Sequence, residues 1–276
     1  GCSTTASTAL SEIPAISFTA STTANVMCYG ANIGAASSSV SGGIPPYAYS
    51  WNSSPVQTTA NAGGLSPGNY AVTLTDSYGC TATANATIGG PIASLSTNLI
   101  AQTNVLCSGN STGAASISIS GGTAPYTTSW NTVPAQNGTS ANNLPAGIWT
   151  ATVTDANGCS TTRDVTITQP ASALSASLFT QTNVLCFGNS TGSATVSASG
   201  GTGPYTYQWN STPAQNTATA SNLPAGSYSC TVRDVNLCAT TVNVTITQPA
   251  AVLNANISAQ TNVLCFGNST GSATAN

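Results

Sequence analysis

The chain has 276 residues, only 3% of which are charged: two Lys or Arg, five Asp or Glu and no His, giving a net charge of −3. Two isolated Arg exclude nucleic-acid binding, which needs clustered basic residues, and the lack of His and Lys argues against acid–base or nucleophilic catalysis. We therefore expect no enzymatic activity, no cofactor and no metal. No stretch approaches the roughly 18 consecutive apolar residues of a membrane span, so we also expect no membrane-spanning segment.

A 79-residue period organises the chain. It relates three series of rare residues: Cys28, Cys107, Cys186 and Cys265; Cys80, Cys159 and Cys238; Trp51, Trp130 and Trp209. We therefore predict complete repeats at 15–91, 92–170 and 171–249, the end of a preceding repeat at 1–14 and the start of a following one at 250–276. The partial repeats suggest a window on a longer polypeptide or completion by strands from neighbouring subunits. Both alternatives predict a fibre that associates with itself.

The third copy illustrates the predicted elements in chain order. Strands are expected at 174–185, 192–199, 205–209, 217–223, 227–233 and 240–247, where polar and apolar residues alternate between Gly, Pro and Asp turns. No window has the apolar period of a helix. Six or seven short strands with turns every 8 to 12 residues predict an all-β fold of tandem Ig-like β-sandwich repeats.

The strand that ends in Trp209 reads Tyr-Thr-Tyr-Gln-Trp, with its aromatic residues on one face. Such a face suits a sandwich core, which we favour for Trp51, Trp130 and Trp209. The alternative is that these three residues contact surface glycans, as in an array of carbohydrate-binding modules. Buried indoles would remove that alternative.

Two further positions have a plain structural interpretation. Asp76, Asp155 and Asp234 each precede a cysteine-bearing turn, where Asp commonly bonds to nearby backbone. A calcium site would need more carboxylates than one per repeat. Cys230 occurs in one copy only, at a position taken by Val72 and Ala151 in the others, and is expected to be a small buried residue.

The recurring cysteines predict disulfides in an oxidising, extracellular compartment. One arrangement joins cysteines within each repeat, as Cys28–Cys80, Cys107–Cys159 and Cys186–Cys238. The other crosses repeat boundaries, as Cys2–Cys28, Cys80–Cys107, Cys159–Cys186 and Cys238–Cys265. Their loop-closure free energies differ by only roughly 0.5 kcal/mol, and we favour the first because counting hairpins puts both cysteines of a repeat at one end of the sandwich.

The order of motifs resembles the SprB repeat of Bacteroidota surface proteins. The matching elements include Cys-x-Gly-x-x-x-Gly at 186–192, Gly-Gly-x-x-Pro-Tyr-x-x-x-Trp at 200–209 and Asp-x-x-Gly-Cys at 155–159. This resemblance implies a very large cell-surface adhesin of the kind found in gliding motility. We therefore expect an extracellular structural or adhesive array that forms a stalk or filament on a bacterial surface.

Overall fold

The structure, a computed structural model, describes residues 2–8 and 12–276. The named secondary-structure elements within these residues are all β-strands. The first six strands are β1 (Ser17–Ala24), β2 (Gly34–Ser41), β3 (Ala48–Trp51), β4 (Asn61–Leu65), β5 (Gly68–Thr75) and β6 (Thr81–Ile88). The next six are β7 (Ser96–Thr103), β8 (Gly113–Ser120), β9 (Thr127–Trp130), β10 (Ser140–Leu144), β11 (Gly147–Thr154) and β12 (Ser160–Ile167). The last eight are β13 (Ser175–Thr182), β14 (Gly192–Ser199), β15 (Thr206–Trp209), β16 (Thr219–Leu223), β17 (Gly226–Arg233), β18 (Ala239–Ile246), β19 (Ile257–Thr261) and β20 (Ser272–Ala275).

The chain divides into two compact units. One holds residues up to Thr103 with Ala114–Asn142 and Ile148–Thr166, and the other holds Asn104–Gly113, Asn143–Gly147 and Ile167–Asn276. Strands β1–β6 lie wholly in the first unit and β13–β20 wholly in the second, while β7–β12 are divided between them. We use repeat 1, repeat 2 and repeat 3 for the segments that contain β1–β6, β7–β12 and β13–β18.

Each repeat has two three-stranded antiparallel sheets with one strand order. In repeat 1 the sheets are β1-β2-β4 and β3-β5-β6, and in repeat 3 they are β13-β14-β16 and β15-β17-β18. Repeat 2 has the same order, β7-β8-β10 and β9-β11-β12. This order corresponds to the A-B-E and C-F-G sheets of the immunoglobulin sandwich without strand D. The predicted fold class is confirmed: the chain is a tandem array of Ig-like β-sandwiches.

The alternating pattern places the strands of repeat 3 close to their predicted positions. The strand predicted at 192–199 is β14, and the one predicted at 240–247 is β18, displaced by one residue. In β18, Val244 and Ile246 are buried while Thr245 between them is exposed. The opening strand is shorter than predicted, because the chain leaves the sheet after Thr182 to form the loop that carries Cys186.

The core of each sandwich lies between its two sheets. In repeat 3, Ala194 and Ala220 of one sheet pack against a cluster on the other that includes Trp209, Val232 and Ile246. The corresponding cluster of repeat 1 contains Ala36, Ala62, Trp51, Val72 and Ile88. Small residues on one sheet therefore leave room for the indole of the other.

The two ends of the chain differ from the complete repeats. Residues 2–8 and 12–16 contain no strand, so the final strand predicted within 1–14 is not seen there, and residues 1 and 9–11 lie outside the described residues. A strand needs a neighbouring strand to pair with, and residues 2–8 and 12–14 pair with none. At the other end β19 and β20 form a hairpin in which Gln260 opposes Ala273, the register of Gln181 and Ala194 in repeat 3. The described part of the chain has no helix that could cross a membrane.

Candidate functional site

The three tryptophans are core residues. Trp51, Trp130 and Trp209 are each at most 1% exposed. Each indole N–H donates a 3.0 Å hydrogen bond to a backbone carbonyl, those of Thr59, Gly138 and Thr217. A sugar ring cannot stack on a buried indole, so the predicted glycan contact through Trp51, Trp130 and Trp209 is wrong and the core interpretation is right.

The turn between the last two strands of each repeat, at 76–80, 155–159 and 234–238, has a buried carboxylate at its centre, and we call it the Asp–Cys turn. In repeat 3, Oδ1 of Asp234 accepts the N–H groups of Asn236 and Cys238, both at 2.9 Å. Oδ2 accepts the N–H of Thr202 at 2.9 Å. Oδ1 thus shapes the turn, which is the role predicted from the sequence, and Oδ2 connects the turn to the loop that carries Thr202.

Backbone donors also set the ionisation of two of these carboxyls. Burial opposes the charge of Asp76 and Asp155, but the surrounding N–H groups outweigh burial and hold the pKa of both below the ordinary carboxyl value. The donors are Cys80, Ile44, Tyr78 and Gly79 for the first, and Thr123, Cys159 and Asn157 for the second. Both carboxyls are therefore ionised at neutral pH, the form that accepts these N–H groups.

A second feature that recurs in every repeat is the loop between its first two strands. This loop lies at 25–30, 104–109 and 183–188, and we call it the cysteine loop. In the first unit, the cysteine loop of repeat 1 meets the Asp–Cys turn of repeat 2. Cys28 forms a disulfide with Cys159, with their Cα atoms 5.7 Å apart. Beside it, the Asn157 side-chain amide donates to the carbonyl of Met27 at 2.9 Å and to the Thr123 hydroxyl at 3.0 Å.

The second unit contains the same joint between repeats 2 and 3. Cys107 is bonded to Cys238, with a Cα separation of 5.6 Å. The Asn236 amide donates to the carbonyl of Leu106 at 3.2 Å and to the Thr202 hydroxyl at 3.1 Å. In both joints, one covalent bond and one asparagine hydrogen bond connect a cysteine loop to the next repeat.

These bonds correct both predicted pairings. Within repeat 1, Cys28 follows the end of β1, which lies beside the end of β6, since the Val26 N–H donates to the carbonyl of Gly89 at 2.9 Å. Cys80 precedes the start of β6, and eight residues of strand extend about 26 Å. A Cys28–Cys80 bond cannot form because the two residues lie at opposite ends of the sandwich.

The hairpin count failed at the connection between β3 and β4. Residues 52–60 join the two sheets without forming a strand, which breaks the assumed alternation of strand direction. The boundary-crossing pairs are also wrong, because Cys107 is bonded to Cys238 and Cys80 is free.

Five described cysteines are unbonded: Cys2, Cys80, Cys186, Cys230 and Cys265. Cys230 is buried in the core of repeat 3, where desolvation raises the pKa of its thiol. This confirms the prediction of a small buried residue. Of the six predicted disulfide cysteines, Cys80 and Cys186 are exposed and free, and the other four form the two bonds.

Sequence reasoning missed Asn157 and Asn236. The only signal was their position, third in Asp-x-Asn-x-Cys at 155–159 and 234–238, which the turn alone would explain. Repeat 1 has Tyr78 at this position, so a comparison of copies also gave no indication of a bonding role.

The SprB repeat family matches three segments of the chain, residues 20–56, 99–135 and 178–213. Each segment starts in the first strand of a sandwich and includes the cysteine loop and the buried tryptophan. Each of the three sandwiches thus contains one segment that is similar to the SprB repeat. The Asp–Cys turn lies outside these segments. In each joint of this chain, a turn beyond the matched segment of one sandwich therefore contacts the matched segment of the sandwich before it.

Solved structures similar to this chain contain several domains or tandem repeats. Three N-terminal domains of the highly immunogenic outer capsid protein of bacteriophage RB49 are 13% identical, over 83% of this chain and 99% of that chain, with a TM-score of 0.38. The N-terminal eight Ig domains of Down syndrome cell adhesion molecule are 10% identical, over 84% of this chain and 36% of that chain, with a TM-score of 0.39. A tetra-tandem repeat from the extending region of a large adhesion protein is 15% identical, over 89% and 78%, with a TM-score of 0.25. None of the curated proteins compared with the chain matches it.

Proposed function

We propose that the chain is part of an extracellular structural or adhesive array, a stalk or filament on a bacterial surface, in which each repeat is covalently locked to the next. The joint carries this proposal, because Cys28–Cys159 and Cys107–Cys238 each connect successive repeats. Disulfides persist in oxidising compartments, which supports an extracellular location. The proposed repeat boundaries remain 15–91, 92–170 and 171–249, and the proposed partners are neighbouring repeats or subunits.

The two disulfides overlap along the sequence. Cys107 lies within the segment closed by Cys28–Cys159, and Cys159 lies within the segment closed by Cys107–Cys238. When the sandwiches unfold under tension, the shortest covalent path from residue 28 to residue 238 crosses both disulfides and includes only the chain between Cys107 and Cys159. An array of this kind resists extension even after its cores have unfolded.

The indoles and carboxylates that could bind a ligand are engaged within the fold. The three indoles are buried, and the Asp carboxylates accept backbone N–H groups. The carbohydrate-binding alternative therefore has no support from the tryptophans on which it depended. We propose a mechanical and connecting role with no enzymatic activity.

Single-molecule stretching of the full chain tests the mechanical part of the proposal. With the disulfides intact, the segment from 28 to 238 should extend as about 52 residues, or roughly 180 Å at about 3.5 Å per residue. With a reductant it should extend as about 210 residues, or roughly 735 Å. Equal extensions with and without reductant would refute the locked array.

Antibody labelling of cells that produce the protein tests its location. Labelling of intact cells is the expected result. Labelling that requires permeabilised cells would contradict the extracellular assignment while leaving the joint geometry unaffected.

A further inference from the structure

The joint between repeats 1 and 2 and the joint between repeats 2 and 3 differ in the residue that follows their asparagine. The pairs are Asn157-Gly158 and Asn236-Leu237, at equivalent positions of two Asp–Cys turns. We propose that Asn157 is a site of intramolecular deamidation, which the closed joint slows and an opened joint permits, and that its product prevents the joint from closing again. The inference rests on the proposed locked array and adds a difference in lifetime between its two joints.

Deamidation of asparagine is an attack by the following peptide nitrogen on the side-chain amide. The Gly158 nitrogen bonds to Cγ of Asn157, and the side-chain nitrogen leaves as ammonia with the proton of the attacking N–H. One water then opens the succinimide ring and gives aspartate or isoaspartate. Glycine favours ring closure because it has no Cβ to crowd the attacking nitrogen or to restrict the backbone.

The turn itself does not require this glycine. Gly158 has φ +82° and Leu237 has φ +65° at the equivalent position. Both N–H groups donate 3.0 Å bonds to the carbonyl three residues earlier, those of Asp155 and Asp234. A Cβ added at Gly158 would meet no atom within 4 Å. The two turns thus have one shape and differ in the reactivity of their asparagine.

The closed joint restrains the groups that would react. The Asn157 side-chain nitrogen donates to the carbonyl of Met27 at 2.9 Å. Cys159, two residues further along the chain, is bonded to Cys28. Attack requires the Asn157 side chain to turn toward the Gly158 nitrogen and this nitrogen to give up its proton. Opening of the joint removes the bond to Met27 and the covalent restraint on the turn together.

The products of deamidation do not fit the closed joint. An ionised aspartate accepts hydrogen bonds and donates none, so a carboxylate at position 157 would face the carbonyl of Met27 without a proton between them. It would also lie two residues from Asp155, which is ionised at neutral pH. Isoaspartate would lengthen the backbone of the turn by one carbon just before Cys159. Either product therefore opposes re-formation of the joint.

The other Asn-Gly pair of the sequence, Asn137-Gly138, is an internal reference. Asn137 is exposed in the connection between β9 and β10. The Gly138 N–H donates to the carbonyl of Thr128 in the same repeat, at 3.2 Å. Its deamidation should therefore proceed at one rate whether the joint is open or closed.

The test is to age the full chain at neutral pH, with and without a thiol reductant, and to follow each asparagine by peptide mass spectrometry. Reduction opens both joints. Asn157 should deamidate at least roughly fivefold faster with the reductant, the effect of losing about one hydrogen bond. Asn137 should react equally in both samples, and Asn236 should stay slow. The variant C28S/C159S, which opens the first joint alone, should reproduce the rise without reductant.

Exchange of the following residue is the matched control. Gly158→Leu should suppress deamidation of Asn157 in the open joint, since leucine already occupies this position in the second joint. Leu237→Gly should introduce deamidation at Asn236. These two variants separate the reactivity of the dipeptide from the restraint that the joint applies.

The aged, reduced chain is then transferred to a glutathione redox buffer to measure reclosure. Chains modified at position 157 should re-form Cys28–Cys159 with an equilibrium constant roughly fivefold lower than unmodified chains, from loss of one hydrogen bond. Re-formation of Cys107–Cys238 should be the same in both.

Three results would overturn the proposal: equal rates at Asn157 in open and closed joints, no effect of Gly158→Leu, or equal re-formation of Cys28–Cys159 in modified and unmodified chains. A parallel rise at Asn137 would also overturn it, because the protection would then come from the fold of repeat 2 and not from the joint. Peptide maps of unaged, non-reduced chain that contain both disulfides would show that the locked array stands even where the deamidation proposal fails.

Discussion

Cys28 and Cys159 are 131 residues apart in sequence, yet their Cα atoms are 5.7 Å apart because a loop of one sandwich meets a turn of the next. Cys107 and Cys238 have the same separation of 131 residues and a Cα distance of 5.6 Å. The equal separation shows that the bond belongs to the joint between successive repeats. Removing it should weaken the joint and leave each core unchanged.

The double substitution Cys28→Ser with Cys159→Ser should lower the free energy of unfolding by about 2–5 kcal/mol, because the bond restricts a long loop of the unfolded chain. Thermal unfolding under non-reducing conditions measures the change. Cys186→Ser is the control and should leave Tm unaltered, since Cys186 is exposed and unbonded. Equal melting of the double variant and the unchanged protein would mean that the joint adds no stability.

Asn236→Ala should weaken the joint between repeats 2 and 3, because it removes the hydrogen bond to the carbonyl of Leu106. The loss of about 0.5–1.5 kcal/mol should shift the Cys107–Cys238 equilibrium in glutathione buffer toward the reduced form by roughly two- to tenfold. Asn243→Ala, on an exposed position of β18, is the control. If both variants give the same ratio of reduced to oxidised protein, Asn236 does not hold the joint.

Stability should be almost constant from pH 5 to 8 and should decrease below about pH 4. The pKa of Asp76 and Asp155 is lowered in the folded state, so protons bind preferentially to the unfolded chain. The stability that these carboxylates add is complete above their unfolded pKa, about 3.9, and is lost as the pH falls through the lower folded value. Thermal melts across this range measure it.

Asp76→Asn and Asp155→Asn should flatten the acid part of that profile, because each removes a carboxylate that is charged in the folded state. An unchanged acid profile in these variants would contradict the role of the two carboxylates. For the unsubstituted protein, a melting temperature that changes by more than a few degrees between pH 5 and 8 would contradict the predicted constancy of stability in that range.

Gly42→Ala should destabilise repeat 1. Gly42 has φ +75°, and an added Cβ would overlap the carbonyl oxygen of Ala15 in the segment before β1. The expected cost is about 1–3 kcal/mol, from backbone strain and displacement of that segment. Gly63→Ala is the matched control, with open space around its Cβ, and should change stability by less than about 0.5 kcal/mol. Chemical denaturation compares the two variants, and equal effects would refute the close approach at Gly42.

Trp209→Ala should cost about 3–5 kcal/mol, because it empties the core of repeat 3 and leaves the carbonyl of Thr217 without its donor. Phe179→Ala removes an aromatic ring that is 71% exposed in the same repeat and should have little effect. Denaturant unfolding distinguishes them. A small effect of Trp209→Ala would reopen the question of a surface role for the indole.

The sequence by itself determined the 79-residue period and six or seven strands for each repeat, and it favoured the burial of Trp209 and the turn role of Asp234. Each depends on residues close together in the chain: alternation places Val244 and Ile246 on one face, and Gly, Pro and Asp end the strands. Only the tertiary structure decided which cysteines are bonded. The pairing depends on the strand-free connection at 52–60, which places Cys28 and Cys80 at opposite ends of one sandwich, and on the meeting of a loop with a turn 131 residues away. Chain entropy differs by at most about 1.4 kcal/mol among the possible partners that follow Cys28 in the chain, and no local pattern could have selected Cys159 from them.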